Sequence, residues 1–372
     1  MPGGHIRKRG KRYNVIVEVE RNPVTGKRLQ KSIGGFKTKK EAEKALIEAV
    51  SNINKNEFIF PEKTLVKDFL TLWLDTYAIN LSPTTYNGYK MIINNHLIPS
   101  IGNKELQKLQ PLHIQRYYNE KQKTLKGKTL LQHHRVLRKA LNYAWKMQLI
   151  SRNPADMVDA PKVQKYRAVV LEPPQVKTLL SAVENTRFEI PVNLALALGL
   201  RLGEVLGLRW SDIDFENGII NIEQTLVRAG TELIFKEPKT EESARSISAP
   251  QELLKLLKQH KKNQLELKVR SYGEYENKHN LVCTRDNGKP LNTSSFSHAF
   301  GDFIKKVDIP HIRFHDLRYT NATLMLLSGT APKVASSRLG HSTIGITMDL
   351  YSHVLKDMNK EAADKLNDVI YK

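Results

Sequence analysis

The spacing of apolar residues changes along this chain, and two proline-containing segments separate the resulting patterns. Residues 13–19 place four apolar side chains on one face at alternate positions, which predicts a half-buried strand. Beyond Thr64, apolar residues recur every three or four positions, which predicts helices. The interruptions fall at residues 52–61 and 153–167. A chain of 372 residues divided in this way is expected to form three domains with separate cores.

The first domain, residues 1–52, is predicted to be a small sheet with one helix. Two strands, at residues 13–19 and 28–33, are joined by turn-forming residues. The helix is expected to begin at the capping-box pair Thr38 and Glu41.

The second domain, residues 62–160, is predicted to contain four helices. The second and third open at Pro83 and Pro111, because proline is favoured at the first helical position. The fourth spans residues 129–147. Aromatic residues at helical spacing are more typical of a core than of a surface on which bases stack. The aromatic side chains expected to face the core are Trp73, Tyr77, Tyr86, Tyr89, Tyr117, Tyr118 and Trp145.

The third domain, residues 168–372, is predicted to be mostly helical. A short antiparallel sheet is expected from residues 219–222, 233–236 and 245–248. The fold class expected for the whole chain is therefore mainly α with small β, in a multidomain α+β arrangement.

The net charge of +21 is concentrated in the first 160 residues. Residues 1–50 contain 13 Lys or Arg against 5 Asp or Glu, and residues 62–160 contain 15 against 7. Concentrated positive charge attracts a polyanion and releases its counterions, which favours double-stranded DNA as the partner. A solvated basic surface, a membrane-surface patch and a nuclear-localisation segment are the alternatives. The expected DNA-binding residues are Arg7, Lys8, Arg9, Lys11, Arg12, Lys27, Arg28, Lys128, Arg135, Arg138 and Lys139.

Several classes of protein are disfavoured by composition. No apolar run approaches the ~18 residues that a membrane-spanning helix needs. The start of the chain lacks the apolar segment of a secretion signal. Cys283 is the single cysteine, which excludes an internal disulfide and a cysteine-based zinc site and fits a reducing compartment. We therefore expect a cytoplasmic protein with no membrane association and no bound metal.

Arg201 follows a strongly apolar segment, residues 194–200, and is expected at the end of a buried helix that terminates at Gly199. Its guanidinium fork matches two oxygens of a phosphate. A purely structural ion pair with Glu204 is the alternative.

Further groups that can act on a phosphate lie near the C-terminus. His315 and Arg318 are three residues apart on an expected helix, so one phosphate can contact both, although an ordinary surface pair has the same spacing. His341 follows the helix-terminating Gly340. Ten residues later, Tyr351 offers a hydroxyl that becomes a nucleophile only if its developing anion is stabilised. Simple packing is the alternative for any one of the 13 tyrosines.

The order of these residues resembles the tyrosine recombinase (phage-type integrase) family, and the resemblance covers all three domains. Residues 5–50 are similar to the arm-binding domain of integrases from temperate phages and integrative conjugative elements, and residues 62–160 to the core-binding domain. Residues 168–372 would then be the catalytic domain. The segments that match the family's motifs are 199–204 with 208–214, Lys239 between two expected strands, 315–318, 339–341 and 347–353.

The resemblance implies a mechanism without a cofactor. Tyr351 would attack the scissile phosphate, leaving a 3′-phosphotyrosine and a free 5′ hydroxyl, and Lys239 would protonate the leaving oxygen. The other implied roles are phosphate binding by Arg201 and Arg318, general base or proton relay for His315, and hydrogen-bond donation to the phosphate by His341.

The resemblance also implies partners and a biological setting. A homotetramer would act on attachment core and arm sites in the bacterial nucleoid, with an accessory excisionase and a DNA-bending protein, to integrate and excise a phage or conjugative element. One alternative is a Xer-like chromosome or plasmid dimer resolvase, whose relatives usually lack the arm domain. Another is a non-cleaving DNA-binding regulator, which predicts loss of Tyr351 or of an arginine.

Overall fold

The computed structural model divides into two compact units, Met1–Lys165 and Tyr166–Lys372. Among the described residues, three separate clusters of buried apolar side chains occur, two in the first unit and one in the second. The residues that the structure describes are 4–21, 28–54, 63–163, 168–237, 244–271, 273–340, 367 and 370–371.

The N-terminal part of the first unit is a three-stranded antiparallel sheet packed against one helix. Its elements are β1 (Gly4–Arg9), β2 (Arg12–Arg21), β3 (Arg28–Phe36) and α1 (Lys39–Asn54). β2 lies in the centre of the sheet. Val15 and Val17 are fully buried in a cluster that also contains Ala42 and Ala49 of the helix. The predicted sheet-plus-helix arrangement is therefore observed.

Local details of this part both match and extend the sequence prediction. The Glu41 backbone N–H donates to Thr38 Oγ1 at 3.2 Å, and the Thr38 N–H donates to Glu41 Oε2 at 3.4 Å, so the capping box is formed. β1 was not predicted, because Ile6 is the one large apolar residue of a strand that is otherwise glycine or polar and basic. This strand is specified by its pairing with β2 along its whole length.

The rest of the first unit is helical, as predicted. The helix opened at Pro83 continues beyond its first segment through a π-helical turn at Ile93–Leu97. Trp73, Tyr117 and Tyr118 are buried, as expected, but Trp145 is 48% exposed and Tyr77 is 41% exposed. Trp145 lies in the last turn of its helix, and Tyr77 directly follows the last residue of its helix. The helices are α2 (Val66–Thr76), α3 (Pro83–Ile92), α4 (Ile98–Ile101), α5 (Pro111–Lys121) and α6 (Gly127–Lys146).

Two tyrosine–histidine hydrogen bonds join α5 to α6 in the interior. The Tyr117 hydroxyl lies 2.7 Å from His133 Nδ1, and the Tyr118 hydroxyl lies 2.9 Å from His134 Nδ1. Burial, together with the nearby ring of His96, lowers the pKa of His133 to about 4. His133 is therefore neutral at pH 7.

The second unit is mostly helical, and its strands are short. One antiparallel sheet has the order β4-β5-β8, and β6 pairs with β7 in a separate hairpin. We expected one sheet; instead, the strand at residues 233–236 belongs to the hairpin. The elements are α7 (Pro173–Val183), α8 (Glu189–Leu198), α9 (Leu202–Gly207), β4 (Ile213–Asp214), β5 (Ile219–Ile222), β6 (Thr225–Ala229), β7 (Glu232–Lys236), β8 (Arg245–Ser248), α10 (Gln251–Arg270), α11 (Thr293–Ile304), α12 (Asp316–Leu327) and α13 (Pro332–Leu339).

The core of the second unit gathers segments that are far apart in sequence. Leu194 and Leu198 of α8 belong to the same buried cluster as Val205 of α9, Phe300 of α11 and Leu317 of α12. This packing brings the C-terminal end of α8 close to the start of α12. Among the described residues, no helix is long and apolar enough to cross a membrane.

The buried histidines predict a pH-dependent stability for the first unit. His133 has a pKa near ~6.5 when unfolded, so below that pH the unfolded chain binds a proton that the folded chain excludes. Between pH 7 and pH 5, the free energy of unfolding should fall by about 2 kcal/mol from this residue. Urea unfolding, followed by the fluorescence of Trp73 and Trp145 in a Trp210→Phe chain, measures the change.

The control for this prediction is a histidine outside the core. His133→Gln should remove the part of the pH dependence that comes from this residue, whereas exchange of the exposed His311 for Gln should leave it intact. An equal loss of stability on acidification in His133→Gln and in the parent would contradict the interpretation.

Candidate active site

Arg201 lies between α8 and α9 and is held by contacts on two sides. Its Nη1 donates to Glu204 Oε1 at 2.7 Å, its backbone N–H donates to Glu204 Oε2 at 3.0 Å, and its Nη2 donates to the Gly340 carbonyl at 2.9 Å. The side chain is 39% exposed. Arg201 is thus fixed by the protein and still accessible to a ligand from solvent.

Arg318, in the first turn of α12, is almost fully buried. Its Nη1 donates to the Gly199 carbonyl at 2.7 Å, and its Nη2 donates to the Leu339 carbonyl. Burial, followed by the like charge of Arg201, lowers the pKa of Arg318 to about 9, so the guanidinium remains charged at neutral pH. Its partners are main-chain carbonyls rather than a carboxylate, so its positive charge is not cancelled.

Two glycines in the left-handed conformation place these carbonyls. Gly199 ends α8 with φ 67°, and Gly340 ends α13 with φ 62°. The carbonyl end of a helix carries partial negative charge, which favours a cation. The two helix ends therefore form the surface against which Arg201 and Arg318 are held.

His315 lies immediately before α12 and keeps a solvent-accessible edge. Its ring packs edge-on against Tyr319, with 5.1 Å between ring centroids. Partial burial and the positive charges of Arg318 and Arg313 lower the pKa of His315 below its usual value. A neutral imidazole that can accept a proton is therefore favoured at neutral pH.

Glu204 is buried between two guanidinium groups. Arg245 Nη2 donates to Glu204 Oε2 at 3.0 Å, and Arg201 Nη1 donates to Glu204 Oε1 at 2.7 Å. Burial alone would raise the pKa of Glu204, but the hydrogen bond and charge of Arg245, with those of Arg201, hold it below its usual value. The carboxylate is therefore ionised, and one negative charge stands among three arginines when Arg318 is included.

Lys239, His341 and Tyr351 lie outside the described residues. The carbonyl of Gly340, the residue that precedes His341 in the sequence, accepts a hydrogen bond from Arg201. Within the described ranges, no group of three or more His, Cys, Asp or Glu is placed to hold a metal ion.

The C-terminal half of the chain, residues 169–358, matches the profile of the phage integrase family. The chain belongs to this family. Two further profiles match the integrase, an N-terminal SAM-like domain of phage integrases at residues 65–122 and an arm DNA-binding domain at residues 5–53. The integrase is therefore an enzyme that breaks and rejoins DNA strands, and the family predicted from the motifs is confirmed.

Similar proteins over nearly the whole length of the integrase include recombinases of mobile elements. The ICEBs1 integrase of Bacillus subtilis is 26% identical and covers 96% of this chain and 97% of its own length. A XerC-like tyrosine recombinase of Caldanaerobacter subterraneus is 28% identical and covers 97% of both chains. This integrase is of the type found in phages and conjugative elements.

Solved structures share the fold of the integrase. The integrase of transposon Tn1549 in complex with transposon right end DNA aligns with a TM-score of 0.69 at 23% identity, over 81% of this chain and 99% of that chain. A lambda integrase tetramer bound to a Holliday junction aligns with a TM-score of 0.60 at 19% identity, over 94% of both chains. The expected fold class, mainly α with small antiparallel sheets in a multidomain arrangement, is confirmed.

The residues expected to bind DNA in the sheet of the integrase lie at its surface where they are described. The side chain of Arg28, which opens β3, is not described, and Lys27 lies outside the described residues. Lys8 Nζ lies 5.7 Å from the ring centroid of Tyr13. The exposed members of the set are Arg7, Lys8, Arg9, Lys11 and Arg12.

The four residues of α6 that are expected to bind DNA differ in the contacts that they make with other protein groups. Lys128 and Arg135 are exposed. Arg138 pairs with Asp156. Lys139 is half-buried, with Nζ within 6 Å of the centroids of two tyrosine rings, those of Tyr77 and Tyr89. Two of the four cations are therefore already in contact with protein groups.

Arg245 belongs to this cluster but was not predicted from the sequence to be a site residue. It opens β8 and shares a strand face with Ile247, which is buried. An arginine on the buried face of a strand must find partners, and that pattern is the signal that could have identified it.

Replacing Gly199 with alanine should destabilise the second unit. A Cβ there would lie 2.3 Å from Leu339 Cδ2 and 2.6 Å from Asn321 Oδ1, at a positive φ that alanine disfavours. We expect a loss of about 1–3 kcal/mol, seen as a lower melting temperature in scanning calorimetry. The matched control is Gly301→Ala in α11, where a Cβ meets nothing within 4 Å and helix propensity should raise stability slightly. A melting temperature of Gly199→Ala equal to that of the parent would contradict the packing argument.

Proposed function

We propose that this integrase cuts DNA with Tyr351 and holds the scissile phosphate between Arg201 and Arg318. The observation that carries the proposal is the pair of guanidiniums placed by the ends of α8 and α13, in a cluster with more positive than negative charge. Such a cluster suits the negative charge that grows on a phosphate in the transition state.

The two arginines fit complementary tasks in this proposal. Arg318 has little exposure and fixed partners, so it would act as a preorganised charge on the buried side of the phosphate. Arg201 has a solvent-accessible side and would contact a non-bridging oxygen from that side. Because positive charge from the protein stabilises the phosphate, the proposed reaction has no step that requires a metal or another cofactor.

The proton transfers follow from the remaining groups. Tyr351 loses its proton, which His315 accepts directly or through a relay, as its lowered pKa favours. The tyrosine oxygen forms a bond to phosphorus, the bond from phosphorus to the 5′ oxygen breaks, and Lys239 protonates that oxygen. His341 donates a hydrogen bond to the phosphate. Rejoining is the reverse reaction with the 5′ hydroxyl of another strand.

We further propose three functional domains. Residues 1–52 would bind arm sites, residues 62–160 would bind core sites, and residues 168–372 would carry out catalysis. The separate apolar cores and the three family profiles support this division. The substrate would be double-stranded attachment-site DNA.

The strand register suggests which residues of the first domain read bases. Ile6 pairs with Val15 on the helix-covered face of the sheet, so Arg7, paired with Asn14, lies on the opposite face. Asn14 Oδ1 accepts a hydrogen bond from the backbone N–H of Gly35 at 3.0 Å, which fixes its amide. We infer that this uncovered face enters the major groove, where Arg7 and Asn14 contact bases.

In the second domain, Lys128 and Arg135 would be the residues most available for contacts with DNA. They are exposed, whereas DNA would have to compete with Asp156 for Arg138 and with aromatic rings for Lys139. These four cations would contribute phosphate contacts and salt dependence rather than sequence preference.

The assembly would be a tetramer of this chain on two DNA sites, acting in the nucleoid of a bacterial host. The tetrameric lambda integrase of similar fold supports this stoichiometry. Excision would use an excisionase and a DNA-bending protein. A dimer resolvase is the second candidate, favoured by the XerC-like relative, but the arm DNA-binding profile at residues 5–53 favours integration.

The chemistry can be tested with a nicked suicide substrate. In EDTA, the parent chain should form a covalent protein–DNA band on a denaturing gel, and Tyr351→Phe should form none, because phenylalanine lacks the nucleophilic oxygen. Arg201→Ala should retain DNA binding and lose cleavage by about a hundredfold or more. A covalent band from Tyr351→Phe would refute the nucleophile, and normal cleavage by Arg201→Ala would refute the phosphate contact.

Two substitutions can separate base contacts of the N-terminal domain from its contacts that do not depend on DNA sequence. Arg7→Ala should reduce discrimination between the correct arm site and a mutated one by about 1–3 kcal/mol, because a base contact is lost. Lys11→Ala, its matched control at the β1–β2 turn, should weaken binding to both DNAs equally. Fluorescence anisotropy with both DNAs measures the difference. Equal effects of the two substitutions would contradict the base-reading face.

A further inference from the structure

Arg245 is a buried arginine at the start of β8, and its side chain is 7% exposed. Its two Nη atoms donate to Glu204, at 3.0 Å to Oε2 and 3.4 Å to Oε1. Its Nε donates to the Arg338 carbonyl at 2.9 Å. One guanidinium therefore joins β8 to α9 and to the last turn of α13.

We propose that Arg245 is a positioning residue for Arg201, an inference that rests on the phosphate-binding role proposed for Arg201. Arg201 has two kinds of acceptor among the described residues, the carboxylate of Glu204 and the carbonyl of Gly340. Arg245 contacts the first directly and the turn that carries the second.

The contact with Glu204 determines where its carboxylate lies. Without Arg245, this carboxylate would keep only its bonds from Arg201, which come from the backbone N–H and from Nη1. With Arg245 present, the carboxylate is shared by two guanidiniums, because Arg201 Nη1 donates to Oε1 and Arg245 donates to Oε2 and, at 3.4 Å, to Oε1. Arg201 is therefore aligned by Glu204 while less of its positive charge is neutralised, which leaves charge for a phosphate.

The contact with α13 is reciprocal. The Arg338 carbonyl accepts from Arg245, and Arg338 Nη2 donates to the carbonyl of Ser248 at the other end of β8, at 2.8 Å. These two bonds join the C-terminal turn of α13 to the strand. A Cβ on Gly340 would lie 3.1 Å from Arg245 Nη1, which shows how closely the guanidinium underlies that turn. The position of the Gly340 carbonyl thus depends on Arg245.

The forked shape of the Arg245 guanidinium is needed for these contacts in addition to its charge. Lysine preserves the charge but has a single nitrogen, which cannot contact both Glu204 and the Arg338 carbonyl in this geometry. Arg245→Lys therefore separates positioning from simple charge balance.

The test compares single-turnover cleavage of the suicide substrate with DNA affinity for the full chain. Arg245→Lys and Arg245→Gln should both cleave at least about tenfold more slowly, because a misplaced Arg201 loses transition-state contacts, with dissociation constants within about threefold of the parent. The control is Arg270, which pairs with Glu266 in α10 of the same unit and lies in none of the motif segments. Arg270→Lys also replaces a guanidinium that pairs with a carboxylate, and it should cleave at the parent rate. A smaller loss in Arg245→Lys, or an equal loss in Arg270→Lys, overturns the inference.

A double-substitution cycle tests whether Arg245 acts through its acid partner. If it does, Arg245→Gln should slow cleavage much less in a Glu204→Gln background than in the parent. Fully additive effects on the cleavage rate would overturn the proposed route through Glu204.

A readout independent of cleavage separates this inference from the proposed function. The side-chain Nε–H signal of Arg201, observed by NMR in arginine-labelled protein, should exchange faster with water in Arg245→Lys and be unchanged in Arg270→Lys. An unchanged signal in Arg245→Lys overturns the inference. If the parent chain forms no phosphotyrosyl complex, the proposed function fails, and the Arg201 signal still decides whether Arg245 positions it.

Discussion

The structure of the second unit depends on holding positive charge in a protein interior without neutralising it. Arg318 is 2% exposed, and burial of an uncompensated guanidinium would be strongly unfavourable. The fold meets this requirement with carbonyls at the ends of two helices, which satisfy the N–H groups but add no formal negative charge. Glu204 then neutralises part of the charge at the edge of the cluster, where Arg201 and Arg245 share it.

Much of the local structure was predictable because its causes are local. The capping box of Thr38 and Glu41, the helix opened at Pro111 and the glycine end of α8 at Gly199 each depend on residues a few positions apart. The order of the motifs around Arg201 and Arg318 was sufficient to indicate the family, which the profile match confirmed. The roles of Lys239, His341 and Tyr351 remain predictions.

Other features depend on contacts that the sequence does not display. Arg318 meets Gly199 across 119 positions, and Arg201 meets Gly340 across 139, so neither partner could be assigned from spacing. β1 has almost no apolar alternation and depends on its pairing with β2. The division of the strands into a sheet and a separate hairpin was also missed, because short strands carry too little pattern to specify their neighbours.

The use of main-chain acceptors has a consequence for how such a site can change over time. A carboxylate partner is lost by one substitution, whereas the carbonyls of Gly199 and Leu339 persist whatever side chain stands at position 339, provided the backbone keeps its path. The arrangement of charge then depends on the left-handed turns at Gly199 and Gly340 and on the arginines themselves. The side chains around these positions can be exchanged without removing the acceptors of Arg318, as long as the helix ends stay in place.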